Sequence, residues 1–137
     1  MLPVLDFSSF LKNPFGTEGQ AFCRTLVETS RSSGFFFLTG HGIPEQQNIE
    51  LLTVSQQFFK LPKEERHKIA IVNSPHFRGY TVLGDERTNG KSDWRDQIDI
   101  GPEELPVALE RNDPIWLHLK GPNQWPSGLP EMRPTVN

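Results

Sequence analysis

Short blocks of apolar residues, separated by glycine, proline and polar positions, organise the first forty residues of the chain. Residues 3–6 (PVLD) predict a short opening strand with proline at its first position. The helical spacing of Phe22 and Leu26 predicts a helix over residues 17–33, which starts with a capping box at residues 17–20 and stops at Gly34. The aromatic run at residues 35–38 then predicts a short buried strand.

A second helix is predicted from Pro44 onward, because proline is accepted in a first helical turn and apolar residues recur at helical spacing. Its apolar stripe contains Ile49, Leu51, Leu52, Phe58 and Phe59. A short charged helix follows to about residue 69, and residues 97–100 alternate as in a half-buried strand. Strands and helices in this order indicate an α/β or α+β beginning, and we assign an α+β fold with short strands and two main helices.

Prolines are concentrated in the last third of the chain. Seven of the twelve lie after residue 101, where they prevent any long helix. We therefore expect a core at residues 1–101 followed by a proline-rich extension at residues 102–137. Residues 134–137 offer no element that would close a core, so we expect the chain to be cut short of a complete fold.

Composition narrows the function class. The 137 residues suit one domain, and a net charge of −3 does not suggest a nucleic-acid surface. No apolar run approaches the ~20 residues that a membrane-spanning helix needs, and residues 1–6 lack the basic flank of a signal peptide. A single cysteine, Cys23, excludes an internal disulfide and fits a reducing compartment, so we expect a cytoplasmic protein.

The residues supply no evident catalytic or metal constellation. None of the four histidines has an acidic residue two positions later, the spacing that would let both ligands converge from one strand: His41, His67, His76 and His118. Cys23 lies within a predicted helix without a local base, and no serine stands in a G-x-S-x-G elbow. Residues 90–92 end like a phosphate loop, but Asp85 stands where that loop needs its first glycine. We predict no metal site and no catalytic residue.

The segment at residues 78–99 is dense in charged side chains and has two interpretations. It is either a solvated loop with weak surface ion pairs, or a polar wall that recognises a charged small molecule. Residues alone favour the solvated loop. Residues 121–126 (GPNQWP) are also distinctive, and the simplest interpretation is that Trp125 pins a proline-rich loop to the body.

Several motifs, taken in order, resemble those of one family. They are residues 3–6 (PVLD), 34–38 (GFFFL), 40–43 (GHGI), 58–65 (FFKLPKEE) and 78–80 (RGY). Together they resemble the N-terminal domain of the non-haem iron, 2-oxoglutarate-dependent dioxygenases related to isopenicillin N synthase. Residues 90–95 (GKSDWR) and 121–126 are similar to microbial branches that include the ethylene-forming enzyme.

The resemblance implies a parent enzyme whose chemistry lies elsewhere. In this family a His-x-Asp pair and a distal His hold Fe(II), and an Arg-x-Ser anchors 2-oxoglutarate, all on a C-terminal double-stranded β-helix, or jelly roll. The sequence ends before those elements, and the literal Arg-x-Ser at residues 31–33 lies at the end of the first predicted helix and is not that anchor. We therefore expect the chain to form the N-terminal part of a jelly-roll dioxygenase, with an incomplete barrel. Fe(II) and 2-oxoglutarate are implied for the full-length family but not as ligands of this chain.

As a member of the family, the chain would support the catalytic jelly roll, its implied partner, and cover part of the small-molecule substrate pocket. The resemblance places Arg78, Tyr80 and Glu86 near that substrate and makes His41 a structural turn residue. Either Gln97 and Asp99 or Ile98 and Ile100 would face the pocket, because a shift of one residue exchanges the two faces of a strand.

A second hypothesis keeps the fold without the catalysis. The chain would then be a binding or regulatory module that docks on a separately encoded partner, and it would unfold as one stable, cooperative unit. The residues argue against independence, because a lone strand at residues 97–100 would present an unpaired edge and a surface meant for the barrel would stay apolar and exposed.

Overall fold

A computed structural model describes residues 1–85 and 87–136, except for the side chains at positions 87 and 88. The chain divides into two compact units, Met1–Glu45 and Gln46–Asn137, which we call unit 1 and unit 2. Helices and short strands are mixed, which confirms the predicted α+β class, and the described residues form no closed barrel. The proposed division at residue 101 stays a prediction.

Unit 1 contains a two-stranded parallel sheet and two helices. Strand β1 (Val4–Asp6) pairs with β2 (Phe37–Thr39), in a register that joins Leu5 to Leu38. The crossover between them contains α1 (Ser8–Lys12) and α2 (Thr17–Ser32). Leu5 is buried, and β1 lies in contact with α2. Three rings stack or tilt against one another at this end of the unit, those of Phe7, Phe10 and Phe22.

The predicted opening strand and the first main helix are confirmed. The predicted side-chain capping at the start of that helix is not observed. Gly16 precedes α2 without a side-chain cap, and the amide of Gln20 donates instead to the carbonyl of Phe15, so the predicted capping box is wrong. At the other end, the left-handed Gly34 lets its N–H donate to the Thr29 carbonyl and ends the helix as predicted. Helix α1 carried no clear periodic signal and was not predicted.

The prediction of a buried strand at residues 35–38 is wrong in its burial. Strand β2 starts at Phe37, and all three of its residues are exposed. Phe35, before the strand, is exposed as well. The aromatic run predicts a segment that is buried in a hydrophobic core, but Phe35 and Phe37 are exposed to solvent in this chain.

Unit 2 is built around α3 (Glu45–Lys60), which begins at the boundary between the units. Its other helices and strands are α4 (Lys63–His67), β3 (Gly79–Thr81), β4 (Arg87–Thr88), β5 (Lys91–Ser92), β6 (Gln97–Asp99) and α5 (Met132–Val136), with 3₁₀ turns at Ile71–Asn73 and Ile115–Leu119. The core consists of Val54, Phe58, Ile69, Tyr80, Leu129 and Met132.

Helix α3 buries only part of the predicted apolar stripe, together with a residue outside that stripe. Val54 and Phe58, four residues apart, enter the core, while Ile49, Leu52 and Phe59 remain exposed. The helix carries apolar residues on two sides, so the sequence pattern alone could not choose between them.

Strand β6 has a partner, so the predicted unpaired edge at residues 97–100 is wrong. It runs antiparallel to β3, with Tyr80 opposite Ile98. Since Ile98 and Ile100 pack against the core that contains Tyr80, Gln97 and Asp99 belong to the other face of the strand. Which of the two pairs faces a substrate pocket stays a prediction.

The C-terminal residues close the core of unit 2, contrary to expectation. Leu129 and Met132 are buried, and Met132 starts the short helix α5. Proline density did limit helix length there, but a five-residue helix was enough to place one methionine in the core. Within the described residues, no helix is long and apolar enough to cross a membrane.

Candidate functional site

Of the three residues that the resemblance placed near a substrate, the structure describes Arg78 and Tyr80, which lie close together along the chain of unit 2. Arg78 immediately precedes β3, and Tyr80 is the middle residue of that strand. Their side chains enter two different hydrogen-bonded groups, described below. Glu86 lies outside the described residues. Contact of these three residues with a substrate therefore stays a prediction.

Tyr80 faces the core and is only 2% exposed. Its hydroxyl accepts a hydrogen bond of 2.9 Å from Nη1 of Arg66, and the same nitrogen donates to Asp96 at 2.7 Å. The guanidinium of Arg66 also lies over the tyrosine ring, 5.0 Å from its centroid. Arg66 on α4 therefore ties β3 to the residue that precedes β6, and an ion pair offsets the cost of burying its charge.

The environment of Tyr80 opposes ionisation. Burial, and then the hydrogen bond to Asp96 and the charge of that carboxylate, raise the pKa of Tyr80 to about 12. A phenol held neutral in this way can accept from Arg66 and donate to Asp96 at neutral pH.

This raised pKa gives a direct spectroscopic prediction, because Tyr80 is the chain's single tyrosine. The tyrosinate absorbance of the folded chain should titrate with a midpoint near 12, and that of the urea-unfolded chain near the ordinary 10.0. Because the folded pKa is the higher one, Tyr80 stabilises the fold fully below about pH 10, and this contribution is lost as the pH rises to about 12. A midpoint near 10 in a chain that is still folded by circular dichroism would contradict the burial.

The guanidinium of Arg78 donates hydrogen bonds to three backbone carbonyls of unit 2. Its Nη1 donates to the carbonyls of His76 and Phe77, at 3.0 and 3.1 Å, and its Nη2 donates to Leu119 at 3.0 Å. These bonds fix Phe77 at a φ of 57°, a left-handed conformation that is strained for a phenylalanine. Next to them, Nδ1 of His76 donates to the carbonyl of His118 at 2.8 Å, which assigns its tautomer.

Residues 121–126 do more than pin a loop, and sequence reasoning missed this. The amide of Gln124 donates to the carbonyls of Ala70 and Arg78, at 2.9 and 2.8 Å. Gly79, at a φ of 124°, lets the backbone pass so close to that amide that a Cβ atom there would collide with it and with the Ile69 carbonyl. Gln124 thereby fixes the start of β3.

Asn123 fixes Gly101, two residues after the end of β6, in the same manner. Its Oδ1 accepts from the N–H of Gly101 at 2.9 Å, and its Nδ2 donates to the Gly101 carbonyl at 2.7 Å and to Glu103 at 2.8 Å. We call Asn123 and Gln124 the clasp. The sequence contains an indication of the clasp, because two adjacent residues with amide side chains lie between Pro122 and Pro126. The sequence analysis predicts a structural role for Trp125 only.

Glu103 completes the group around the clasp. Desolvation by burial works to raise its pKa, but the side-chain and backbone hydrogen bonds from Asn123 and the charge of Arg133 outweigh it, so the pKa of Glu103 lies below its ordinary value. An open depression of about 650 Å³ lies beside this carboxylate, lined by Ile100, Gly101, Pro102, Glu103 and Val136. Neither Arg78 nor Tyr80 is among the residues that line this depression.

The donor set does not fit Fe(II) or 2-oxoglutarate. Within residues 1–85 and 87–136, no three His, Cys, Asp or Glu side chains come together as metal ligands. Nδ1 of His41 accepts from the N–H of Ile43, which makes His41 a turn residue, and Arg31 lies in the last turn of α2. The side chains of Arg78 and Gln124 hydrogen-bond to backbone carbonyls, and Tyr80 is part of the hydrophobic core.

The class of protein follows from comparison with known families. Residues 2–128 match the family described as non-haem dioxygenase in morphine synthesis N-terminal. Since this match spans most of the chain, the chain belongs to the family of non-haem dioxygenase N-terminal domains, as its motifs had indicated.

Particular relatives are longer dioxygenases. The chain is 39% identical over 127 residues to the 2-oxoglutarate-dependent dioxygenase frbJ of Dothideomycetidae sp., covering 92% of this chain and 33% of that protein. It is 33% identical to an Arabidopsis thaliana homoarginine-6-hydroxylase, 2-ODD-C23.1, over 96% of this chain and 41% of the relative. The fold matches the crystal structure of a 2OG-Fe(II) oxygenase family protein from Caulobacter crescentus, with a TM-score of 0.65, 22% identity, and coverage of 98% of this chain and 41% of that one. The chain thus spans a third to two fifths of the length of these relatives.

Proposed function

We propose that this chain serves as the N-terminal supporting part of an Fe(II)- and 2-oxoglutarate-dependent oxygenase that acts on a small molecule. The family match over residues 2–128 carries the proposal, because that family is defined by its place at the front of such enzymes. The iron and the cosubstrate would be held by a catalytic jelly roll outside the matched region, since the matched relatives are longer 2-oxoglutarate-dependent dioxygenases of which this chain covers about a third. A cytoplasmic location is proposed on the single unpaired cysteine alone.

The geometry supports a positioning role for the β3–β6 region of unit 2. Arg66 and the clasp hold β3, β6 and the residues after them at fixed places. Rigid elements of this kind can carry the wall of a pocket, since a wall must keep its shape when a substrate binds. In this proposal Arg78 and Tyr80 shape the substrate-covering surface by fixing the backbone behind it, and contact of Glu86 with the substrate is proposed on the family resemblance alone.

The proposal predicts that the chain is inactive alone and competent when joined to a catalytic part. We expect no 2-oxoglutarate consumption by the isolated chain with Fe(II). A chimera in which the chain replaces the 127-residue stretch that it matches in frbJ should unfold as one cooperative protein and consume 2-oxoglutarate. The control is frbJ itself, assayed under the same conditions. Turnover by the isolated chain would contradict the proposal, and so would a chimera that does not fold.

A further inference from the structure

The turn between β4 and β5 consists of two residues, Asn89 and Gly90. The register pairs Thr88 with Lys91, so these two residues alone form the loop. Both have positive φ angles, 52° for Asn89 and 78° for Gly90, and both are exposed. This backbone is that of a type I′ turn, which a sequence of asparagine followed by glycine favours.

Asn89 is the single asparagine of the chain that precedes a glycine. The backbone nitrogen of the residue after an asparagine can attack Cγ of the asparagine side chain, and a glycine in that place has no Cβ atom to obstruct the approach. The surroundings of Gly90 are also open, because a Cβ atom added there would meet nothing within 4 Å beyond its chain neighbours. The sequence and the space around the turn therefore both favour this attack.

The hairpin that carries the turn resists local opening only weakly. Strands β4 and β5 contribute two residues each and form a two-stranded sheet of their own. A two-stranded hairpin is marginally stable in water, and the opening of exposed loop tips costs little free energy. Asn89 and Gly90 can therefore leave the turn conformation often enough for the nitrogen to reach Cγ.

We propose that Asn89 is a site of spontaneous deamidation, in which the exposed turn converts to isoaspartate and aspartate. The backbone nitrogen of Gly90 forms a bond to Cγ of Asn89 and gives up its proton. The bond between Cγ and Nδ2 breaks, and Nδ2 leaves with that proton as ammonia. Water then opens the five-membered succinimide at the backbone carbonyl carbon, which gives isoaspartate, or at Cγ, which gives aspartate. No atom is oxidised or reduced, and solvent water is the co-reactant.

The modification would change both the charge and the backbone of the hairpin. Either product places a carboxylate at the turn. Isoaspartate also adds a methylene to the main chain, so a two-residue turn no longer matches the pairing of β4 with β5. The site lies within the charged segment at residues 78–99 and does not depend on the proposed function.

The test follows each asparagine of the intact chain by peptide mass spectrometry during incubation at pH 8. We expect Asn89 in the folded chain to deamidate within about threefold of its rate in the urea-unfolded chain, because opening of the turn costs little. It should react at least about tenfold faster than Asn73 in the same folded sample. Asn73 is the matched control, because Ser74 after it carries a Cβ atom and its Nδ2 donates to the Lys68 carbonyl at 3.2 Å.

Two alanine variants separate the attack by the Gly90 nitrogen from a general effect on the hairpin. Gly90→Ala should slow deamidation of Asn89 by about tenfold, since the new Cβ atom obstructs the approach. Gly84→Ala is the control, because Gly84 also has a positive φ, of 88°, and open surroundings but follows a leucine. It should leave the rate at Asn89 unchanged.

Three results would overturn the proposal. The first is a rate at Asn89 no higher than that at Asn73 in the folded chain. The second is a product that an isoaspartyl methyltransferase does not methylate, because aspartate alone indicates direct hydrolysis of the side chain. The third is equal slowing by Gly90→Ala and Gly84→Ala, which would assign the effect to the backbone of the hairpin.

Discussion

Replacing Phe58 by alanine is expected to remove about 3–5 kcal/mol from the free energy of unfolding of unit 2, the largest effect predicted for a single substitution. Phe58 has no exposed surface and lies in the core with Val54 and Tyr80. Its ring meets that of Tyr80 edge to face, with centroids 5.8 Å apart. Truncation would therefore leave a cavity and remove an aromatic pair.

The neighbouring Phe59 is the matched control. Its ring contacts that of Phe58 at 5.1 Å but is 38% exposed, so Phe59→Ala should cost only ~1 kcal/mol. Urea unfolding followed by tryptophan fluorescence measures both, because all three tryptophans, Trp94, Trp116 and Trp125, belong to unit 2. Equal losses for the two variants would show that α3 does not bury the face described.

This contrast also shows where sequence reasoning about the fold succeeded and where it stopped. The bounds of α2 and the existence of β1 followed from local signals, namely helical spacing, Gly34 as a helix stop and a short apolar run. The buried face of α3 did not follow from local signals, because apolar residues lie on two sides of that helix. Which side is buried depends on the core residues that pack against the helix from elsewhere in the chain. Phe58 and Phe59 are both phenylalanines of the predicted stripe, and they differ because Phe58 packs against core residues that are distant in the sequence, such as Tyr80 and Met132.

Burial of the segment at residues 35–38 was predicted for a sound physical reason and is absent in this chain. Aromatic density does indicate a segment that is stable only when covered. Aromatic density does not indicate which residues pack against the segment. Phe35 and Phe37 are therefore exposed in a segment whose composition alone predicts burial.

The candidate site was less predictable than the fold because its contacts are long-range. Arg66 meets Asp96 across 30 positions, Gln124 meets Ala70 across 54, and Asn123 meets Gly101 across 22. Each pair joins residues of unlike type without periodicity, so no local pattern connects them. Arg78 was singled out correctly as unusual, but its charge points to backbone carbonyls, a choice that depends on where residue 119 lies.

Removing the side chain of Asn123 is expected to cost about 3 kcal/mol in the unfolding of unit 2, the second large effect. Asn123 is buried, and Asn123→Ala would leave the N–H and C=O of Gly101 without their partner and would remove one of the donors to the Glu103 carboxylate. The penalty exceeds that of an ordinary hydrogen bond because two backbone groups and a charged carboxylate each lose a hydrogen bond at once. Urea unfolding followed by tryptophan fluorescence measures the loss.

Two further variants separate the clasp from a general effect of losing an amide. Asn48→Ala removes an exposed amide from α3 and should change the unfolding free energy by no more than ~0.5 kcal/mol. Asn123→Asp keeps Oδ1 but places a second carboxylate against Glu103, so it should be at least as harmful as alanine at pH 7. Its deficit relative to the parent chain should shrink as the pH falls, because protonating one of the two carboxyls restores a donor between them. If Asn123→Asp is as stable as the parent chain at pH 7, Nδ2 does not donate to Glu103 and the clasp is not formed as described.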